Sequence, residues 1–139
     1  MKKAVIVYQS RTGITEKFGN EISKYISGKG IDTQTLSAKE YKSGIAEQAD
    51  YLLLGCWTAG FLLLFQHPDM VWKQFAGKLP KLADKKVALF TTYKIATGSM
   101  FKSMKKHLGK ADSDLVELRS KRGILSEENK AALERFLGN

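Results

Sequence analysis

The sequence predicts a three-layer α/β fold in which helices cover both faces of a doubly wound, five-stranded parallel sheet. Short apolar runs alternate with longer amphipathic stretches along the whole chain, as strands and helices do in folds of this class. The main runs are apolar at nearly every position, which is typical of strands buried on both faces. The 139 residues contain no repeat, low-complexity tract or linker, so we expect one domain over residues 1–139.

Five runs predict the strands. The first is rich in β-branched residues, and the third has the sequence DYLLLGC, apolar at nearly every position after its first residue. The second is shorter and contains Thr and Gln, which suits a less buried position in the sheet. The expected strands are Lys3–Tyr8, Thr33–Leu36, Asp50–Cys56, Lys86–Thr92 and Asp114–Leu118.

Five amphipathic stretches predict the helices. Most of them place large apolar residues three or four positions apart, which puts these residues on one helical face. The last one begins with the sequence SEEN, a serine N-cap followed by acidic residues in the first turn. The second has the weakest pattern. The expected helices are Glu16–Ser27, Ala38–Ala49, Pro68–Phe75, Ser99–Leu108 and Ser126–Leu137.

The composition, 43% hydrophobic and 27% charged, is typical of a soluble globular protein. The first apolar run ends at Tyr8, which is too short for a signal peptide, and no stretch approaches the ~20 apolar residues of a membrane span. The single cysteine, Cys56, excludes an intrachain disulfide, and His67 and His107 lie too far apart in sequence for a local metal-binding motif. We therefore expect a soluble, cytoplasmic protein without a metal site.

Positive charge is concentrated in the second half of the chain. The net charge is +9, and residues 71–139 carry 15 Lys and Arg against 7 Asp and Glu. Within Lys73–Lys110, ten lysines are opposed only by Asp84. Few arginines and no interleaved aromatic residues accompany them, so we expect no nucleic acid partner. Two interpretations stay open: a solvated lysine-rich surface, or a docking face for an acidic protein or an anionic membrane.

The loop after the first strand combines hydroxyl groups, a glycine and a helix start. In open α/β sheets, ligands bind beyond the carboxyl ends of the strands. Backbone N–H groups at a helix start are unpaired and partly positive, so they suit a phosphate. The alternative is an ordinary capped loop, because Ser and Thr also favour N-caps. The loop consists of Ser10, Arg11, Thr12, Gly13, Ile14 and Thr15.

This loop resembles the FMN phosphate loop of the flavodoxin family, which has the same Ser-x-Thr-Gly-x-Thr pattern after its first strand. The resemblance covers essentially the whole chain. Residues 55–60, with the sequence GCWTAG, fall where flavodoxins have the loop after the third strand, and residues 92–98 fall where they have the loop after the fourth. The resemblance implies a sheet in the order 2-1-3-4-5 and an FMN ring held between these two loops.

The resemblance also implies which residues contact FMN. The expected phosphate contacts are the six residues of the first loop. Around the ring, the expected contacts are Trp57, Thr58, Ala59, Gly60, Thr92, Tyr93, Lys94 and Gly98.

The departures from the flavodoxin pattern concern the ring. Ala59 and Ile95 stand where flavodoxins usually carry aromatic residues, and the acidic residues that flank the flavin are missing. Trp57 is either a flavin wall or a core residue. The apolar segment Phe61–Phe65 either bends inward or forms the first turn of a buried helix, or it forms a lip that contacts a lipophilic partner, a membrane surface or a second subunit.

We interpret the chain as an FMN-binding electron-transfer protein, an electron carrier rather than a stand-alone enzyme, whose flavin performs the redox chemistry. Its expected partners are redox proteins, with acidic ones favoured by the positive charge. Two alternatives stay open: a small oxidoreductase acting on a quinone or porphyrinogen, and a binding module with weakened flavin affinity. Among the candidate reactive side chains, we expect Cys56 to be a packed, inert thiol and His67 an ordinary loop histidine.

Overall fold

Strands and helices alternate along most of the chain, except over residues 32–67, where no α-helix intervenes between the strands among the described residues. The structure, a computed structural model, describes residues 2–61, 64–110 and 114–138, and the side chains of residues 60, 61, 64 and 65 lie outside this description. The helices are α1 (Ile14–Ser27), α2 (Met70–Ala76), α3 (Met100–His107) and α4 (Glu127–Phe136). The strands are β1 (Lys3–Gln9), β2 (Asp32–Ser37), β3 (Tyr51–Trp57), β4 (Ala59–Phe61), β5 (Leu64–His67), β6 (Lys86–Thr92) and β7 (Val116–Ser120).

Five of these strands form one parallel sheet in the order β2-β1-β3-β6-β7. Counted without the small β4–β5 pair, this is the predicted order 2-1-3-4-5. Strand β1 lies between β2 and β3, with Ala4 opposite both Thr33 and Tyr51. β2 therefore lies on one side of β1, and β3, β6 and β7 follow on the other side. The fifth strand of this sheet begins two residues later than predicted.

Two hydrophobic clusters lie on opposite faces of the sheet. Successive side chains of a strand point to opposite faces, so Val5 of β1 packs in one cluster and Ile6 in the other. Helices α2 and α3 cover the first face, with Trp72 fully buried, and α1 and α4 cover the second, with Phe18 fully buried. No helix of the described ranges is long and apolar enough to cross a bilayer.

The predicted helix Ala38–Ala49 is wrong. The chain forms two single 3-10 turns there, Ala38–Glu40 and Ala46–Gln48. Ser37 and Glu40 cap each other's backbone, which closes the first turn, and the next residue is extended. Gly44 then adopts a φ of +100°, which a right-handed helix does not permit.

A small antiparallel hairpin of β4 and β5 follows β3, with Ala59 opposite His67. Of the segment Phe61–Phe65, Phe61 ends β4, and Leu64 and Phe65 begin β5. The backbone described on both sides of its centre is strand, so the predicted helical turn is wrong, and the first residue of α2 is Met70. Leu62 and Leu63 lie outside the described residues, as do the side chains around them. The predicted lip therefore stays a prediction.

Replacing Gly55 with Ala should destabilise the fold by about 1–3 kcal/mol, the usual cost of overpacking a core. A Cβ atom at Gly55 would lie 2.0 Å from the ring of Phe90. That ring cannot easily move, because it is fully buried and packs edge-on against Phe18 at 5.8 Å. Urea unfolding measures the change in the free energy of unfolding.

Gly77→Ala is the matched control for this substitution. Gly77 has a φ of −68° and open surroundings, with Gln74 O 3.5 Å from the added Cβ. Alanine there should stabilise the protein by about 0.4–1 kcal/mol, since it reduces the entropy of the unfolded chain. Equal stability of Gly55→Ala and the original protein would contradict the close packing of Gly55 against Phe90.

Candidate functional site

A pocket of about 410 Å³ lies at the carboxyl end of the large sheet. The loops that follow β1, β3, β6 and β7 form its walls, together with one residue of β5. This is the edge at which ligands bind in open α/β sheets. The pocket is lined by Arg11, Thr12, Ile14, Trp57, Thr58, Ala59, Gln66, Thr92, Tyr93, Lys94, Ile95 and Lys121.

The loop between β1 and α1 is held in a tight turn by Ser10. The Ser10 hydroxyl oxygen accepts hydrogen bonds from the backbone N–H groups of Gly13, at 3.0 Å, and Glu16, at 3.2 Å. Gly13 caps the helix in the left-handed conformation, with a φ of +93°. The N–H groups of Ile14 and Thr15 donate to no acceptor in the part of the chain that the structure describes. They are free to bind an anion.

The two threonines of this loop have different surroundings. Thr12 is exposed and lines the pocket. Thr15 is 1% exposed, and its hydroxyl lies 2.5 Å from that of Thr92 at the end of β6. Thr12 can therefore reach a ligand with its side chain, whereas the hydroxyl of Thr15 joins the first loop to the sheet.

Threonine side chains also tie the loop after β3 to β6. The Thr58 N–H donates to Thr92 O at 2.9 Å, and the hydroxyls of Thr58 and Thr91 lie 2.8 Å apart. Thr91 in turn donates to the carbonyl of Cys56 at 2.6 Å. These hydrogen bonds fix the pocket walls relative to one another.

Two aromatic residues, Trp57 and Tyr93, line the pocket, each with a cation beside its ring. Trp57 is half-buried, with the guanidinium of Arg11 5.2 Å from its ring centre. Tyr93 has the ammonium group of Lys121 at 5.8 Å. Trp57 is thus a wall of the pocket rather than a residue enclosed in the core.

The sequence and the fold are those of a known family. The family model of the Flavodoxin domain matches residues 5–117. This chain belongs to the flavodoxin family. It is 33% identical to the flavodoxin of Megasphaera elsdenii over 100 residues, which are 72% of each chain. It is 30% identical to the flavodoxin of Clostridium beijerinckii over 113 residues, which are 81% of this chain and 80% of the relative.

A solved structure agrees with this assignment. The solution structure of two-electron reduced Megasphaera elsdenii flavodoxin superposes with a TM-score of 0.81 and 26% identity, covering 98% of this chain and 99% of that one. Flavodoxins bind FMN and transfer electrons to redox partner proteins, and this chain is an FMN-binding electron-transfer flavodoxin.

The residues of this flavodoxin's pocket fit FMN. The unpartnered amides of Ile14 and Thr15 and the exposed hydroxyl of Thr12 suit a phosphate. The aromatic rings of Trp57 and Tyr93 suit a flat conjugated ring. When bound, FMN supplies the electron-transfer chemistry, and the protein supplies binding, orientation and electrostatics.

The pocket of this flavodoxin is electropositive. Three of its lining residues, Arg11, Lys94 and Lys121, are cations, and none of the described lining residues is acidic. Two of these cations were predicted as site residues. Lys121 was not, because its loop follows the last strand and resembles no phosphate or flavin motif.

Two further lining residues, Gln66 and Ile95, were also absent from the predicted site. Gln66 lies in β5, which the sequence did not predict as a strand, and its side chain is 3% exposed. Gly98 was predicted to contact the ring but does not line the pocket. Its role is to admit Gln66, because a Cβ there would lie 2.2 Å from the Gln66 side-chain oxygen.

Cys56 and His67 are not among the residues that line the pocket. Cys56 is fully buried, and burial raises the pKa of its thiol far above the usual value, so the group stays a neutral thiol. The ring nitrogen Nδ1 of His67 lies 2.8 Å from the carbonyl of Pro68. Both residues have the structural surroundings expected from the sequence.

Proposed function

We propose that this flavodoxin carries electrons between redox proteins with FMN bound in the pocket at the carboxyl end of the sheet. The observation that carries the proposal is the convergence of three loops at this edge. One offers unpartnered helix-start amides, and the other two each offer an aromatic ring. The pocket thus combines an anion site and an aromatic site, which are the two parts that FMN requires.

In this proposal the first loop binds the phosphate. The amides of Ile14 and Thr15 and the hydroxyl of Thr12 donate to it. Gly13 allows the backbone to approach closely, and Ser10 holds the turn closed. Arg11 adds a positive charge at the pocket wall.

The ring then lies between the loops after β3 and β6. Trp57 and Tyr93 supply aromatic surface, and Thr58 and Thr92 fix the two loops against each other. Lys94 adds positive charge on the side of the β6 loop. Ala59 contributes only a small side chain to the pocket wall on the β3 side.

Thr12→Ala should weaken FMN binding about tenfold or more, because a hydrogen bond to a charged group contributes roughly 1.5–3 kcal/mol. Titration of the apoprotein with FMN, followed by quenching of flavin fluorescence, measures the dissociation constant. Riboflavin has no phosphate and is the control ligand: its weaker binding should be the same in both proteins. An equal loss for both ligands would place Thr12 away from the phosphate.

The cations of the pocket should favour the fully reduced flavin, which can carry a negative charge. A positive charge near a developing negative charge stabilises it by roughly 1 kcal/mol or more. With Lys94 at the pocket wall and no acidic residue among the described lining residues, the potential for the second electron should be less negative than in flavodoxins with acidic residues around the ring.

Lys94→Glu should lower the potential for the second electron, and Lys78→Glu should leave it nearly unchanged. Both substitutions change the net charge by the same amount. Lys78 follows the last turn of α2, at the opposite edge of the sheet from the pocket, so it tests the effect of net charge alone. Equilibrium redox titration against a dye of known potential measures the potential for the second electron in both variants. Equal shifts would show that Lys94 does not act on the ring.

Unpaired lysines of the basic segment are the proposed source of attraction for acidic redox partners. Some lysines of the basic segment have structural roles: Lys105 pairs with Glu117 at 2.8 Å, and Lys85 and Lys86 donate to backbone carbonyls. Others form no ion pair with any residue that the structure describes. These are Lys73, Lys78, Lys81, Lys94, Lys102, Lys106 and Lys110.

Lys73 of α2 and Lys106 of α3 both lie close enough to His107, at the end of α3, for their charges to act on its ring. Partial burial, followed by the charges of Lys73 and Lys106, lowers the pKa of His107 below its usual value. His107 is therefore more readily neutral than an isolated histidine. Cations this close together attract an acidic partner through long-range electrostatics.

Salt should have opposite effects on the reactions of the reduced protein with small oxidants of opposite charge. Oxidation by anionic hexacyanoferrate(III) should slow as ionic strength rises, because screening weakens the attraction to the basic pocket edge. Oxidation by cationic hexaammineruthenium(III) should accelerate. Stopped-flow absorbance of the flavin measures both rates. The same salt response for both oxidants would contradict an electropositive approach to the cofactor.

The apolar segment Phe61–Phe65 remains a proposed contact for a lipophilic partner or a membrane surface. It belongs to the hairpin that follows β3, the strand that leads to Trp57 and Thr58 in the pocket wall. A segment of this composition beside a cofactor site suits a partner with an apolar patch. We place the protein in the cytoplasm, where redox partners for such a carrier are available.

A further inference from the structure

Asp69 connects three elements that surround the pocket. Its Oδ1 atom accepts a hydrogen bond from the backbone N–H of Trp72 at 3.0 Å and so caps the start of α2. Its Oδ2 atom accepts one from the indole Nε1–H of Trp57 at 2.7 Å and another from the side-chain amide of Gln9 at 3.1 Å. One half-buried carboxylate therefore joins the ends of β1 and β3 to α2.

The bond to Trp57 bears directly on the pocket. Hydrogen bonds to an ionised acceptor are shorter and stronger than neutral ones. A bond at 2.7 Å to the indole N–H fixes the ring of Trp57 in one orientation. The bond from Gln9 holds the carboxylate oxygen in place, so the acceptor itself has little freedom to move.

Arg11 extends this arrangement into the phosphate loop. Its guanidinium lies 5.2 Å from the centre of the Trp57 ring, which is within the range of a cation–π contact. Because Asp69 orients the ring of Trp57, it also determines the position in which Arg11 makes this cation–π contact. The chain of contacts runs from α2, through the wall of the pocket, to the loop that precedes α1.

We propose that Asp69 is a positioning residue of the FMN site, which orients Trp57 and, through it, Arg11, without touching the cofactor. The proposal rests on the function proposed above. It explains how the loop after β3 can offer an ordered aromatic wall although Ala59 is small. Trp57, the last residue of β3, is the aromatic residue on this side of the pocket, and Asp69 keeps its ring in place.

If Asp69 served only as the cap of α2, a substitution that keeps the cap should leave FMN affinity unchanged. Such a substitution distinguishes this structural role from the positioning of Trp57. In Asp69→Asn the side-chain oxygen can still accept from the Trp72 N–H and cap the helix. Its NH₂ group cannot accept from the indole N–H. The substitution therefore removes the bonds from Trp57 and Gln9 to Oδ2 while keeping the cap, and the Trp57→Phe background isolates the part that depends on Trp57.

The test is a double-mutant cycle of Asp69→Asn with Trp57→Phe, measured as the dissociation constant of FMN. Phenylalanine keeps an aromatic ring but has no N–H to donate. We expect Asp69→Asn to weaken FMN binding about tenfold in the original protein and less than twofold in the Trp57→Phe background. Near-UV circular dichroism of the apoprotein should change in the tryptophan region for Asp69→Asn, because the indole of Trp57 loses its fixed orientation.

Ser126→Ala is the control for the loss of a helix cap. Ser126 caps α4 by accepting from the Asn129 N–H at 3.0 Å, and α4 packs on the other face of the sheet from α2. Its removal should lower thermal stability and leave FMN affinity unchanged. If Asp69→Asn does not fold, Asp69→Ser replaces it in the cycle, since a serine can cap α2 but is too short to reach the indole.

An equal effect of the Asp69 substitution in both backgrounds would overturn the proposal, as would unchanged FMN affinity in the original background. Either result leaves the proposed function intact, because the original protein still binds FMN. Failure of the original protein to bind FMN would instead contradict the proposed function. The two failures are therefore distinguished within one set of titrations.

Discussion

The structure depends on the position of β1 in the middle of a parallel sheet. Its pairing with β2 on one side and β3 on the other sends the two following connections in opposite directions. Parallel pairing also brings the carboxyl ends of all five strands to one edge. The loops that follow β1, β3 and β6 therefore meet there, although long stretches of chain separate them. The pocket is a direct consequence of this topology.

At that edge, hydroxyl groups hold the backbone in place and leave selected donors unpaired. Ser10 closes the first loop, and the pair Thr15 and Thr92 joins it to β6. Thr58 and Thr91 do the same for the loop after β3. Because these side chains satisfy one another, the free amides at the start of α1 are held in position before a ligand arrives. Such preorganisation reduces the cost of binding.

The described lining residues of the pocket carry charge of one sign. Lys94 and Lys121 come from loops on separate strands, and Arg11 comes from the phosphate loop. All three side chains are exposed, and together they give the site one sign of charge. The same sign prevails over the basic segment of the second half of the chain. The proposed tuning of the cofactor and the proposed attraction of acidic partners therefore rest on the same sign of charge.

The sequence by itself determined the sheet and the first loop, because apolar runs and the pattern of Ser10, Thr12 and Thr15 depend only on neighbours along the chain. The expected helix Ala38–Ala49 was wrong, since the capping of Ser37 and the conformation of Gly44 outweighed a weak pattern. Only the tertiary structure placed Lys121 and Gln66 in the pocket, buried the hydroxyl of Thr15 against Thr92, and joined Asp69 to Trp57. Contacts of this kind are set by how separate loops pack at one sheet edge, and no local periodicity encodes that packing.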